Sequence, residues 1–226
     1  MIFFLLLAYR ILKRKKQRLN IIFSLFFISN IISSITNMVY ALILDSTVVL
    51  SLNFLTNFFV IFGPVFILIV NFTILESTII FSVKRQNRYI FLYGCLVFFG
   101  MLLLILLGLS FDNPNVPFLG LRIIGGRPKW GLIFFVYVVS IITGFAFVPI
   151  IRTSLKIYFS FENKALKKKW LYYFIGSLGS IILLYMIFTN NLVGNEIFRL
   201  VLSVYAISFL LWVSLMYYGI GFKLKQ

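Results

Sequence analysis

Seven apolar stretches, separated by short connections that carry most of the cations, constrain this chain more than any other feature of its sequence. About 20 apolar residues in a helix, at 1.5 Å each, cover a hydrocarbon core of about 30 Å. Six stretches reach that length: Ile21–Leu44, Leu52–Phe81, Tyr89–Leu109, Trp130–Tyr158, Trp170–Asn190 and Ile197–Phe222. Only a helix satisfies its backbone hydrogen bonds within one crossing segment, and the strand-length alternation of a membrane barrel is missing. The expected fold is therefore all-α, a polytopic membrane helical bundle of about seven transmembrane helices in a single domain, 1–226.

The first stretch, Met1–Leu12, is the short one. It covers roughly 18 Å as a helix before the basic Lys13–Arg18 cluster begins. That length suits a thinned bilayer, an interfacial segment or the remainder of a longer span. Its cations follow the apolar run, the reverse of a signal peptide. Pro64 and Pro149 each remove a backbone donor and are expected to kink their helices. The chain ends about four residues after the last stretch, so no soluble output domain is expected to follow.

Cation placement orients the bundle. Arg10, Lys13, Arg14, Lys15, Lys16 and Arg18 fall on one side, with Lys84, Arg85 and Arg88. Arg152, Lys156, Lys164, Lys167, Lys168 and Lys169 join them, as do Lys223 and Lys225, making 17. The other side has 4: Arg122, Arg127, Lys129 and Arg199. Short basic connections stay cytoplasmic, so the expectation is N-terminus out and C-terminus in, as a multi-pass protein of the cell membrane. The net charge of +16 thus reads as a topology signal, and no nucleic-acid partner is expected. The 110–129 connection lies outside. Gly125-Gly126 there is a two-residue turn signal, predicting a small β-hairpin over the outer mouth of the bundle, either a lid over a ligand site or a connector, with Phe118–Ile124 as a strand.

Catalytic chemistry has little to draw on. Histidine is absent, the acids are five and unpaired at helical spacing, and Cys95 is the single cysteine. No enzyme activity, no cofactor and no metal are expected. Glu76 is the one acid within a span, about 12 Å outward from Lys84 along a helix. An ionisable group at that depth marks a functional site or a helix-bridging pair. Asn30, Ser33 and Asn37 share one helical face, and the next span adds Asn53, Asn57 and Asn71. Such amides either glue helices together or line a polar cavity. Asn30, Asn37, Asn53, Asn57 and Glu76 are the candidate ligand-facing residues, with the 110–129 loop above them. Ser29/Ser33, Ser140/Gly144 and Gly176/Ser180 have the spacing of close helix approach. Trp130, Trp170, Tyr172 and Tyr173 read as interfacial anchors. Glu196 and Arg199 read as a local ion pair. Lys167, Lys168 and Lys169 are placed to touch anionic lipid or a partner.

The layout resembles the N-terminal seven-span sensor region of some membrane histidine kinases. The resemblance rests on AYRILKRKKQRLN leading directly into the second span, and on Gly63-Pro64 followed by VFILIVNFTILES. It rests also on GGRPKWGLIFFVYVV after the outer loop, and on LKKKWLYYFIGSLG opening the sixth span. That family often has a proline where Gly179 and Ser180 stand, and a tryptophan in its second span, which this chain lacks. With no histidine to accept phosphate, only the sensing half carries over. The resemblance implies a stand-alone seven-helix sensor or receptor-like module. It would pass an external or intramembrane ligand signal to a cytoplasmic or membrane signalling partner. A small transporter or substrate-capture subunit is the alternative, since Glu76 and proline-broken helices suit a substrate path.

Overall fold

The computed structural model describes residues 2–14, 17–113 and 116–221; Met1, Lys15, Lys16, Phe222, Lys223 and Lys225, named above, lie outside the described residues. Helices α1 (Ile2–Arg14), α2 (Arg18–Tyr40), α3 (Ser46–Ile80) and α4 (Val83–Phe111) come first. Strands β1 (Leu121–Ile124) and β2 (Arg127–Trp130) follow, then α5 (Leu132–Ile142) and α6 (Val148–Ser160), joined by a π-helical turn at Thr143–Phe147. Helices α7 (Lys164–Val193), α8 (Glu196–Ile207) and α9 (Phe209–Gly221) complete the bundle. Taking α5–α6 and α8–α9 each as one unit, six helices among the described residues are long and apolar enough to cross a membrane.

Short polar connections set the helix ends. The Asp45 carboxylate accepts from the N–H groups of Thr47 and Val48 at 2.9 Å, starting α3 six residues before the expected Leu52. Asn163 and Asn195 cap α7 and α8 in the same way, at 2.8 Å to the nearer N–H. α7 stops at Gly194, whose φ of 67° is the left-handed conformation that ends helices.

α3 is the central post. Every residue from Gly63 to Asn71 is buried, the pattern of a helix covered on all sides. Asn71 ties it to two neighbours. Its amide nitrogen donates to Ser154 Oγ (2.8 Å) and Thr153 Oγ1 (3.1 Å) on α6, and its oxygen accepts from the Tyr173 hydroxyl of α7 (2.9 Å). On the other flank, α7 and α9 meet almost backbone to backbone. A Cβ on Gly176 would stand 2.3 Å from the Trp212 carbonyl oxygen, and one on Gly179 would stand 2.3 Å from the Trp212 ring. Close approach thus belongs to Gly176, Gly179 and Gly219; Gly144 has open space where its Cβ would be.

α3 runs through Pro64 as one continuous helix, whereas a π-helical turn precedes Pro149. Pro149 has no N–H for the Phe145 carbonyl, and Tyr89 of α4 donates to that oxygen at 3.0 Å. Val148 N–H reaches back five residues to Thr143, so the local helix is π rather than α. One turn along α4, Tyr93 donates to the Ile61 carbonyl at 2.9 Å, just before Pro64.

Three expectations change. Trp170 and Tyr173 are buried, not interfacial: Trp170 donates to the Ser154 carbonyl at 2.8 Å and packs on the Tyr173 ring. Trp130 is buried too, stacked on Phe188 at 5.0 Å between centroids. Glu196 faces Arg127 at 3.8 Å instead of Arg199, an exposed pair that bridges β2 and α8. The last stretch is not one straight helix. It breaks at Ser208, whose hydroxyl donates to the Tyr205 carbonyl (2.6 Å) and accepts from the Trp212 indole N–H (2.8 Å).

The 112–131 connection is fastened to the bundle. β1 and β2 pair antiparallel, Leu121 opposite Trp130 and Ile124 opposite Arg127, with Gly125 and Gly126 both at positive φ in the turn. The strand begins at Leu121, three residues later than expected. Asp112 accepts from the N–H groups of Leu119 (2.9 Å) and Gly120 (2.9 Å), while Arg122 donates to the Gly108 and Leu109 carbonyls that end α4. Burial pushes the Asp112 carboxyl upward, but the N–H groups of Leu119, Gly120 and Phe118, together with Arg122, outweigh it and hold the group below its ordinary value.

Candidate functional site

A cavity of about 430 Å³ opens between α2, α3 and α7, closed by the α8–α9 break. Its volume falls within the range of small-molecule sites. Asn30, Asn37, Asn53 and Asn57, singled out from the sequence, all line it. Their convergence follows from helical periodicity. On α2 the wall runs Phe26, Asn30, Ser33, Asn37, Tyr40; on α3 it runs Asn53, Thr56, Asn57, Val60, Pro64, Ile67. Each set repeats at three- and four-residue steps and so forms one stripe facing inward.

The amides are held in register by local bonds. Asn57 donates to the Asn53 carbonyl (2.9 Å) and to the Asn53 side-chain oxygen (2.8 Å). Asn53 in turn donates to the Tyr40 hydroxyl at 3.2 Å, coupling α3 to the end of α2. Asn30 donates to the Phe26 carbonyl at 2.7 Å. Gly63 lets the two helices close beneath these groups, since a Cβ there would touch Ser29 Oγ at 3.1 Å.

Other predicted positions fall elsewhere. Glu76 is half-buried near the far end of α3, does not line the cavity and has no ion pair among the described residues. Periodicity explains the separation: Glu76 lies nine residues past Ile67, the deepest α3 residue of the wall, about 13 Å along the helix. Among the described residues of the 110–129 connection, none lines the cavity. Trp130 and Leu121 anchor it into the bundle core instead. Asn71 is satisfied as helix glue, below the cavity floor. Lys168 is exposed at the start of α7, whereas Lys167 lies over the Tyr158 ring at 4.7 Å and Lys169 is half-buried.

Sequence reasoning missed Thr56, Asn191 and the apolar wall of Ile181, Leu184, Ile187 and Phe209. Thr56 was within reach, being three residues from Asn53 on the same stripe. The apolar wall was not, because nothing distinguishes its side chains from ordinary core before the helices are assembled. A second hollow, of about 410 Å³, is an apolar groove between α3 and α4 around Phe58, Gly94, Cys95 and Phe98. Its chemistry is that of a lipid-facing surface.

Chemically, the main cavity offers amides and hydroxyls without a charged side chain, nucleophile–base pair or carboxylate dyad. Compared with known proteins, the chain matches no family model, no curated protein and no solved structure.

Proposed function

We propose that the chain is a seven-helix sensor of the cell membrane, receptor-like, that binds an uncharged ligand in its outer half and signals to a separate partner. The carrying observation is the convergence of Asn30, Asn37, Asn53 and Asn57 on one cavity. In this reading the N-terminus is outside and the C-terminus inside, α1 is the short first crossing, and the hairpin is extracellular. The layout shared with the sensing half of membrane histidine kinases supports it, as does the 17-to-4 division of cations. α7 supplies the route. Its Ile181–Asn191 portion walls the cavity and its other end carries Lys167, Lys168 and Lys169. A ligand that favours one packing of α7 against α3 shifts the population of states that the basic end presents to a partner or to anionic lipid.

Amine-reactive crosslinking from Lys168 in native membranes is expected to capture one reproducible partner, with a yield that changes in Asn57→Leu. A chain recovered alone, with no signalling output altered by substitutions at Lys167–Lys169, ends the sensor reading. Transport is the second reading, favoured by Pro64 in the cavity wall and by the π-helical turn before Pro149. Flux through reconstituted vesicles that disappears in Glu76→Gln decides for transport.

A further inference from the structure

The two sides of the cavity differ in chemistry. α2 and α3 supply most of its hydrogen-bonding groups, whereas α7, α8 and α9 supply Ile181, Leu183, Leu184, Ile187, Ala206 and Phe209, with Ser180 and Asn191 as the polar exceptions on α7. No charged side chain lines either side.

The polar side is short of partners in a particular way. Asn30 and Asn57 each spend their amide nitrogen on a backbone carbonyl, which can only accept. That fixes both side chains with the nitrogen inward and the carbonyl oxygen left for a donor. Thr56 is 9% exposed, and among the described residues its Oγ1 has no hydrogen-bond partner. Thr36, Thr73, Thr153 and Thr189 by contrast each donate to the carbonyl four residues earlier. A hydroxyl both buried and unpaired in a cavity wall points to a group that the cavity receives.

We propose that this cavity binds an uncharged amphiphile whose head carries hydroxyl or primary-amide donors. The head meets the Asn30 and Asn57 oxygens and the Thr56 hydroxyl; the apolar chain lies along Leu184 and Phe209. The proposal rests on the ligand-binding reading above and names the class of ligand. A charged head would be stripped of water with no counter-charge to meet it. A purely polar polyol would leave the α7–α9 side uncovered. A neutral membrane lipid and a soluble polyol share the head-group chemistry, and competition separates them.

The test uses the full chain in phosphatidylcholine nanodiscs and a 1-monoacylglycerol with a photoreactive diazirine in its acyl chain. Labelling is expected on residues 181–187 or 206–209, with competition by unlabelled 1-monooleoylglycerol but not by oleate or glycerol. Thr56→Val and Asn57→Leu are each expected to lower labelling about tenfold, the scale of one lost hydrogen bond to a desolvated group. Phe209→Trp, which fills the apolar side, is expected to abolish it. Thermal unfolding of each variant verifies the fold, and Thr56→Val, nearly isosteric, carries the test if Asn57→Leu does not fold. Labelling concentrated at Phe58 and Phe98, labelling unchanged in Thr56→Val and Phe209→Trp, or equal competition by oleate overturns the proposal. Competition by glycerol alone assigns the site to a soluble polyol and overturns it as well. Because the readout is binding, labelling without any signalling partner leaves this inference standing and removes the sensor reading; a partner without labelling does the reverse.

Discussion

Asn71 and Asp112 illustrate how single polar groups hold this bundle. Asn71 uses both ends of its amide, so Asn71→Leu removes the Ser154 Oγ contact and leaves the Tyr173 hydroxyl only the Ile67 carbonyl at 3.5 Å. The expected loss is about 1–3 kcal/mol, read as a lower midpoint of thermal unfolding in detergent. Asp112 is held below its ordinary value, so its contribution is present above the unfolded carboxylate pKa of about 3.9 and fades as pH falls through the lower folded value. Amide exchange at residues 118–131 is expected to accelerate on acidification below about pH 4, and Asp112→Asn is expected to remove that acid dependence. At this scale the sequence was partly legible. The Asn30, Asn37, Asn53 and Asn57 amides were visible because their spacing is a property of the helix alone. Which of two roles an amide takes was not, because Asn71 and Asn57 have the same local signal and differ only in what faces them. Trp170 and Tyr173 misled for the same reason, as aromatic residues at a span end suit an interface or a helix contact equally well.

Helices show a second level, at which defects are compensated by neighbours. Pro149 leaves the Phe145 carbonyl without its usual donor, and Tyr89 answers from another helix. Tyr89→Phe is expected to cost about 0.6–1.7 kcal/mol in the natural chain and close to nothing in the Pro149→Ala background, where an N–H is restored. A double-mutant cycle on thermal stability measures the difference. The α7–α9 contact sets a stricter limit. Gly176→Val forces a side chain against the Trp212 backbone, with an expected loss of about 1–3 kcal/mol on the same assay. Long apolar runs made these helices readable from composition, and Pro149 marked the place of the π-helical turn. The break at Ser208 carried no such mark. It depends on a serine hydroxyl and an indole that meet only once the backbone has bent.

Across the whole molecule, single side chains join segments distant in sequence. Arg18 of α2 donates to Gln86 at the start of α4 at 2.7 Å, and Lys167 of α7 lies over Tyr158 of α6. In a chain with Cys95 replaced by Ala, Lys129→Cys is expected to react with a membrane-impermeant maleimide on intact cells, and Lys84→Cys only after permeabilisation. Reaction of both from one side would invert the topology argument and the functional reading with it. One helix stands apart from this network. α8 contributes no buried side chain, and Ile197, Leu200, Val204 and Ile207 project away from the bundle. In a bilayer its apolar side chains would meet acyl chains more than protein, so bilayer thickness would act on α8 before it acts on α3 or α7. Thin and thick bilayers would tilt this segment differently about Ser208, and with it Ala206 and Phe209 in the cavity wall, coupling the shape of the pocket to the lipid around it.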